Sequence, residues 1–288
     1  MYTIFYLTLV LICLCGCVSD SGGSAPKIPP DPPVAEPVYG KQDLGIAKPS
    51  ALEFWVKWPK RHNHPWNIIR MWFPENSYIK DENGKQIWNL PMVHDPAVWE
   101  NTETGLRAEI DLPGGGRFIR TIEKDGATLY LSVSVENKSD TTWQEFHQGS
   151  CLQLSAAPDY EDNTGERTYW VLDGELKSTY QMAITSPGKR GSRGIGEKVK
   201  MKDDTEKTVS EGVAFVTSRD GKYVLGYSWQ PAHGLFYNRA GIVACVHVQP
   251  PNLKVEAGQT KTQKGIIFIH EGNLKEAYQR YHDWKEKL

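Results

Sequence analysis

Two histidines, His147 and His247, have the residue type and the setting that chemistry would need. Each lies in a stretch that alternates apolar and polar side chains, as a half-buried strand does. An imidazole gains and loses a proton near neutral pH, so two of them on one surface could serve as acid and base, or could bond to a ligand's hydroxyl groups. With a carboxylate such as Glu145 or Asp159 they could also hold a metal. No short His/Asp spacing favours that use, and we predict neither a metal site nor a cofactor. Each histidine could equally be an ordinary strand residue.

Two arginines and four tryptophans complete the candidate binding residues. Arg70 and Arg107 lie on predicted strands among apolar residues, where a guanidinium needs a carboxylate partner from the protein or from an acidic ligand. The chain holds ten Trp, and a tryptophan either fills a β-rich core or offers a flat face on which a sugar ring can stack. The candidates for stacking are Trp66, Trp72, Trp143 and Trp229.

Several classes of function find no support in the sequence. The formal net charge of -2 gives no field that would attract nucleic acid. The sequence has no Gly-x-Ser-x-Gly motif of serine hydrolases. The Gly-rich basic segment 187–207 lacks the Gly-Lys-Ser/Thr ending of a phosphate loop, and we interpret it as a mobile loop that could act as a lid. Cys151 and Cys245 lie in apolar strand stretches and could be disulfide-bonded or buried as free thiols.

The first fifty residues have the composition of an export leader and a tether. Residues 4–14 form an apolar run that is too short for a stable membrane anchor and fits the core of a signal peptide. The run ends in Leu14-Cys15-Gly16-Cys17, which resembles the bacterial lipobox, although no Lys or Arg precedes it. The resemblance implies residues 1–17 as the signal and a lipid on Cys17, and the absence of Asp after Cys17 favours the outer membrane or cell surface. The Gly-, Ser- and Pro-rich residues 18–50 cannot bury a core and are predicted to be a tether.

Residues 51–288 are predicted to form a single all-β domain. Short segments of period two are separated by Gly, Asn and Asp turns, with Asp125-Gly126 and Asp220-Gly221 as hairpin signals. Because no helices are interleaved, the pattern predicts a large antiparallel β-sandwich. One helix is expected at the C-terminus, where Asn273 and Glu276 form a capping box. The predicted strands lie at 52–58, 66–73, 106–112, 118–122, 127–135, 143–154, 168–172, 213–217, 223–229, 242–248 and 264–269.

The later part of the chain resembles galactose-mutarotase-like proteins, which have a supersandwich fold. The resemblance is carried by Val133-Ser-Val-Glu-Asn-Lys-Ser-Asp-Thr-Thr-Trp143, by Ala244-Cys-Val-His-Val-Gln-Pro250, and by Leu253-Lys-Val-Glu-Ala-Gly-Gln-Thr260 before a final strand. It implies a sugar pocket on a concave sheet face. The family's general-acid histidine falls near His147. Its general-base glutamate position holds His247, so simple aldose epimerisation is not implied. The chain looks most like uncharacterised exported lipoproteins of this fold.

Three functions follow as hypotheses. The first is a surface lipoprotein that binds a glycan through the concave face of the sandwich. The second is a carbohydrate-active enzyme, epimerase-like or lyase-like, that uses His147 and His247. The third is a structural or protein-binding component of the cell envelope. All three place the protein in the envelope, with lipid on Cys17 as its link to the membrane.

The lipobox generates a direct prediction. Cys17→Ala should release the protein from the membrane fraction or block removal of the leader, because the acylated residue would be lost. Fractionation and intact-mass measurement of the processed protein test this. An unmodified Cys17 in the processed protein would rule out the lipid anchor.

Overall fold

The computed structural model describes residues 45–47, 53–58, 67–91, 96–183, 191–238 and 244–288, with side chains described from residue 68 onward. Cys17 and Trp66 lie outside these residues. The strands are β1 Gly45–Ala47, β2 Glu53–Trp58, β3 Asn67–Lys80, β4 Gln86–Pro91, β5 Val98–Asn101, β6 Gly105–Asp111, β7 Arg117–Asp125, β8 Thr128–Glu136, β9 Trp143–Gln153, β10 Thr168–Leu172, β11 Glu175–Ser178, β12 Gly191–Gly194, β13 Lys198–Lys200, β14 Glu206–Thr217, β15 Tyr223–Gln230, β16 Gly234–Asn238, β17 Cys245–Gln249, β18 Leu253–Val255 and β19 Thr260–Glu271. The one α-helix of these residues is α1, Leu274–Lys285.

The strands form two antiparallel sheets, which confirms the predicted sandwich. The nine-stranded sheet has the order β1-β2-β3-β9-β17-β16-β12, with β4 added to β3 and β18 added to β9. The ten-stranded sheet has the order β11-β10-β14-β15-β19-β8-β7-β6-β5, with β13 added to β14. Many neighbours are consecutive strands, but the pairs β3-β9, β9-β17, β10-β14, β15-β19 and β19-β8 join strands that are distant in sequence, so long-range pairing holds each sheet together.

The core lies between the two sheets and follows from period-two alternation. On β8, the apolar residues at 129, 131, 133 and 135 are all buried in it. On β17, Val246 and Val248 point into the same core. The faces of the sheets turned away from this core carry the alternate residues.

The C-terminal helix packs on the outer face of the ten-stranded sheet. Asn273 accepts a hydrogen bond from the backbone N–H of Glu276, whose carboxylate accepts one from the backbone N–H of Asn273, so the predicted capping box is present. Ala277, Tyr281 and Trp284 bury one stripe of α1 in a second apolar cluster. No helix of the described residues has the length and apolar character that a bilayer crossing would require.

Asn137 joins the two segments that carry the family resemblance. Its side-chain nitrogen donates to the carbonyl oxygens of Thr141 and Val255, at 2.8 and 3.0 Å. Its backbone carbonyl accepts from the N–H of Gly258. The turn after β8 and the turn before β19 are therefore fastened to each other by one fully buried amide side chain.

Two boundaries differ from the sequence prediction. Strand β1 pairs with β2 and lies inside the segment 18–50 that was predicted to be a tether, so regular structure starts earlier than expected. The segment 187–207 was predicted to be a mobile loop, yet its described part contains β12, β13 and the start of β14. The side chains of this segment are mostly polar, so the sequence pattern did not predict strands here, because edge strands need few apolar residues.

A buried amide on β9 generates a stability prediction. Gln148 is 2% exposed, and neither its side-chain oxygen nor its nitrogen has a hydrogen-bond partner. Gln148→Met should therefore raise the free energy of unfolding by about 1–2 kcal/mol, because an unpaired buried amide is replaced by an apolar side chain of similar shape. Urea unfolding measures the change. Gln144→Met, at an exposed position of the same strand, should change stability by less than about 0.5 kcal/mol. A loss of stability in the Gln148 variant would contradict the prediction.

Candidate functional site

The face of the nine-stranded sheet that is turned away from the core carries the candidate site. The alternate residues of its central strands β3, β9 and β17 fill the core, so the remaining side chains project from the opposite face. We call this set of side chains the outer strip. It comprises Arg70, Trp72, Glu75, Asn76, Tyr78, Lys80, Glu145, His147, Cys151, Gln153, Cys245, His247 and Gln249.

An irregularity in β3 shapes the outer strip. The register between β3 and β9 shifts between Trp72 and Asn76, so β3 accommodates extra residues opposite β9. At this bulge two consecutive side chains, Glu75 and Asn76, both reach outer-strip histidines. Glu75 contacts His247 and Asn76 contacts His147.

His147 belongs to a cluster of aromatic and polar side chains. Its ring stacks on the ring of Tyr78, with the centroids 4.7 Å apart. The ring nitrogens Nδ1 and Nε2 lie 2.8 and 3.0 Å from the side-chain oxygens of Asn252 and Asn76. The hydroxyl of Tyr78 donates to Glu145, at 2.6 Å. The imidazole is thus fixed on three sides.

Glu145 is the charged centre of this cluster. Its carboxylate accepts hydrogen bonds from Lys80 Nζ at 2.7 Å, from Tyr78 and from Asn252 Nδ2 at 2.6 Å. Lys80 and Tyr78 hold the pKa of Glu145 below its usual range. Burial and the bond to Glu145 raise the pKa of Tyr78 to about 12. A carboxylate occupied by three donors organises a binding surface better than it accepts a proton from a substrate.

His247 belongs to a second cluster, made with two thiols. Its Nε2 lies 3.2 Å from Cys245 Sγ, and its Nδ1 lies 3.3 Å from a carboxylate oxygen of Glu75. The Sγ atoms of Cys151 and Cys245 and a ring nitrogen of His247 all lie within 4.8 Å of one another. Phe236 packs edge-on against the imidazole, with the centroids 4.7 Å apart.

The two thiols are not equivalent. The pKa of Cys245 is lowered, because the hydrogen bond from Cys151 and the nearby His247 together lower it by more than burial raises it. The hydrogen bond to Cys245 and burial raise the pKa of Cys151. Cys245 is therefore the sulfur that carries negative charge more readily. Such a group can hold a soft metal ion or act as a nucleophile.

The two predicted histidines lie on neighbouring strands and on one sheet face, but in different clusters. The pairing of Cys245 with Gln153 and of Val246 with Leu152 places His247 across from Cys151. Cys151 is four residues along β9 from His147, about 13 Å of strand at the usual rise per residue. A ligand that touches both rings must therefore be longer than a single sugar ring.

The predicted arginines fall in different places. Arg70 lies on the outer strip, where it pairs across β3 and β9 with Gln153. Arg107 lies on β6 of the other sheet and forms an ion pair with Glu109. Arg107 thus has a carboxylate partner from the protein on its own strand, far from the outer strip, and its role in ligand binding stays a prediction.

The predicted tryptophans also divide. Trp72 is partly exposed on the outer strip. Trp143 and Trp229 are 1% and 0% exposed and belong to the core, so no ring face is left for a sugar, and the stacking role predicted for them is wrong. The indole N–H of Trp229 donates to Ser150 and Tyr227 instead. Trp66 lies outside the described residues.

Several site residues escaped the sequence analysis. Tyr78, Lys80 and Asn76 follow the two-residue period of β3, and that period was the available signal. The pair Cys245-x-His247 shares one strand face for the same reason. Cys151, Glu75 and Asn252 come from other parts of the chain, and no local pattern joins them to the histidines.

The Glu145 network generates a pH-dependent prediction. Because the pKa of Glu145 is lowered in the folded protein, its carboxylate stabilises the fold above the ordinary glutamate pKa of about 4.3, and this contribution is lost as the pH falls. Glu145→Gln should cost about 1 kcal/mol at neutral pH, a modest value since the side chain is 23% exposed, and almost nothing near pH 3. Urea unfolding at both pH values measures the difference. Glu82→Gln, in an exposed turn, is the matched control, and an equal cost at both pH values would refute the assignment.

Comparisons with known proteins give similarities of fold. No protein-family model matches the sequence, and no curated protein matches it. Similar solved structures include an aldose epimerase homologue from C. elegans (9% identity, 81% of this chain and 97% of that chain, TM-score 0.49). A galactose mutarotase-like protein from Clostridium acetobutylicum is 10% identical over 77% of this chain and 87% of its own, with a TM-score of 0.49. A polysaccharide lyase is 10% identical over 81% of this chain but only 33% of its own, with a TM-score of 0.47.

Proposed function

We propose that this protein binds carbohydrate on the outer strip and is held at the cell envelope by lipid on Cys17. The observation that carries the proposal is the continuous outer strip itself. Aromatic rings, amides and charged groups of three neighbouring strands share one sheet face. Sugar recognition combines flat apolar contact with directional hydrogen bonds, and this face offers both.

The length of the outer strip favours an oligosaccharide over a monosaccharide. The partly exposed side chains of the strip extend along β3 from Arg70 to Lys80, ten residues further on, about 30 Å. Tyr78, half-buried, lies near one end and Trp72 lies nearer the other, beside Arg70. Two aromatic residues separated along one sheet face suit a chain of sugar rings.

Binding is favoured over catalysis because the polar groups that could act as acid or base are already engaged in hydrogen bonds within the protein. The Glu145 carboxylate is occupied by three donors, and both ring nitrogens of His147 face side-chain oxygens. The proposed glycan would meet a preformed surface rather than a free acid and base. The enzyme alternative built on His147 and His247 would need both rings at one reacting centre, and their separate clusters do not favour this.

The test is a thermal-shift screen of the full chain against neutral gluco- and galacto-oligosaccharides and against uronic-acid oligosaccharides. A ligand at 100 times its Kd should raise the Tm by about 5–10 °C, from about 2.7 kcal/mol of binding free energy. Trp72→Ala should weaken binding of the best ligand at least tenfold. Tyr130→Ala, which removes an exposed aromatic ring of the ten-stranded sheet, is the matched control and should leave binding unchanged.

Two outcomes would overturn the proposal. One is the absence of any shift with oligosaccharides of all three kinds. The other is a shift that Trp72→Ala leaves intact and Tyr130→Ala abolishes, since the ligand would then lie on the other sheet. Turnover of the bound oligosaccharide, followed by product analysis, would favour the enzyme alternative.

A further inference from the structure

Three metal-binding groups converge within the buried part of the outer strip. Cys151 and Cys245 contribute sulfur and His247 contributes nitrogen, and these three donor atoms lie within 4.8 Å of one another. All three residues are buried, at 1%, 3% and 6% exposure. We propose that Cys151, Cys245 and His247 bind one Zn²⁺ ion. This inference goes beyond the proposed carbohydrate function and does not depend on it.

The separations of the donors suit a tetrahedral zinc ion. Zinc–sulfur and zinc–nitrogen bonds of about 2.3 and 2.0–2.1 Å place two tetrahedral sulfurs about 3.8 Å apart and a sulfur and a nitrogen about 3.6 Å apart. The observed Sγ–Nε2 separation for Cys245 and His247 is 3.2 Å, and the largest separation in the set stays within 4.8 Å. Side-chain rotations alone can therefore bring the donors to bonding distance.

The local sequence explains why the donors meet. Cys245 and His247 are two residues apart on β17, so they share one sheet face. Cys151 lies on the neighbouring strand β9, across from His247. A rigid pair of strands thus supplies three ligands, and a fourth position remains for water or for an oxygen of a ligand.

Glu75 supplies the outer partner that a zinc-bound histidine usually has. A metal-ligating imidazole typically donates its other ring N–H to a carboxylate, which fixes the ring and its tautomer. His247 directs Nε2 toward Cys245 and places Nδ1 3.3 Å from a carboxylate oxygen of Glu75.

Two other uses of the thiols fit the geometry less well. A disulfide is disfavoured because the direct partner of Cys245 on β9 is Gln153, which makes Cys151 a diagonal neighbour. Diagonal neighbours have Cα atoms about 7–8 Å apart, beyond the usual disulfide limit of about 6.8 Å. A nucleophilic Cys245 would have to be reached by a substrate, but the residue is buried, and only a small ion fits beside it. A nucleophilic role for Cys245 would also leave the neighbouring Cys151 unexplained.

The test is a cobalt titration of the full chain in detergent, with Cys13, Cys15 and Cys17 replaced by serine. Only Cys151 and Cys245 then remain of the five cysteines. Under reducing conditions, one equivalent of Co²⁺ should produce sulfur-to-cobalt absorption and the intense visible bands of a tetrahedral site, and one equivalent of Zn²⁺ should abolish them. Cys151→Ser and Cys245→Ser should each halve the sulfur-to-cobalt absorption, and the double variant should lose it.

The histidine and its carboxylate are tested against a matched pair elsewhere in the chain. His247→Asn should weaken Co²⁺ binding at least 100-fold, and Glu75→Ala by about 10–100-fold. His270→Asn is the control, because His270 also lies beside a carboxylate, 3.4 Å from Glu276, but has no thiol partner in the described residues. Its titration should match that of the parent chain. Thermal melting of each variant verifies folding, and protection of both thiols from alkylation by Zn²⁺ tests the site without altering it.

Three results would overturn the proposal. They are a reduced protein that gives no sulfur-to-cobalt absorption and no Zn²⁺ protection, bands that persist in the double serine variant, and a Cys151–Cys245 disulfide in protein isolated from cells without reductant. None of these bears on oligosaccharide binding, so the two proposals fail independently.

Discussion

The structure depends on the two opposite faces of β9, the strand at the centre of the nine-stranded sheet. One face directs Phe146 and Leu152 into the core, and the other directs Glu145 and His147 outward. A register slip of one residue would bury a carboxylate and an imidazole and would expose the aromatic side chain, so the pairing of β9 is strongly specified. On the inner face, Ser150 also forms a buried hydrogen bond to the opposite sheet. Its hydroxyl lies 2.6 Å from the Tyr227 hydroxyl of the opposite sheet.

This constraint places all the candidate chemistry on one surface. Because the inner faces of both sheets are mostly apolar, the charged side chains and the imidazoles of β3, β9 and β17 project outward. The bulge in β3 then adds what regular alternation cannot, two consecutive side chains that both reach outer-strip histidines. Glu75 contacts His247 in the cluster with the two thiols, and Asn76 contacts His147 in the cluster with Tyr78. A single peptide bond therefore connects the two clusters.

Alternation made much of this predictable from the sequence, and long-range pairing set the limit. The period of two correctly gave most strands, and the spacing of Asn273 and Glu276 correctly gave the capping box of α1, because each depends on residues close together in the chain. It could not show that Cys151 lies across from His247, since that contact depends on the pairing of strands almost a hundred residues apart. The period of two also could not show that Trp72 is partly exposed whereas Trp229 is buried. Both lie on alternating strands, and only the position of each face relative to the second sheet decides which ring is buried.

The outer strip is organised before any ligand arrives, and this bears on how it could bind. Ordering a free polar side chain costs conformational entropy, which weakens binding. His147 is already stacked on Tyr78 and held at both ring nitrogens, and Glu145 is held by three donors. His247 is likewise held between Cys245 and Glu75. Such a surface loses little entropy on binding, so modest contacts with each ring of an extended ligand can accumulate into useful affinity. The same rigidity limits what can be recognised, because a ligand must match groups whose positions the two sheets have already fixed.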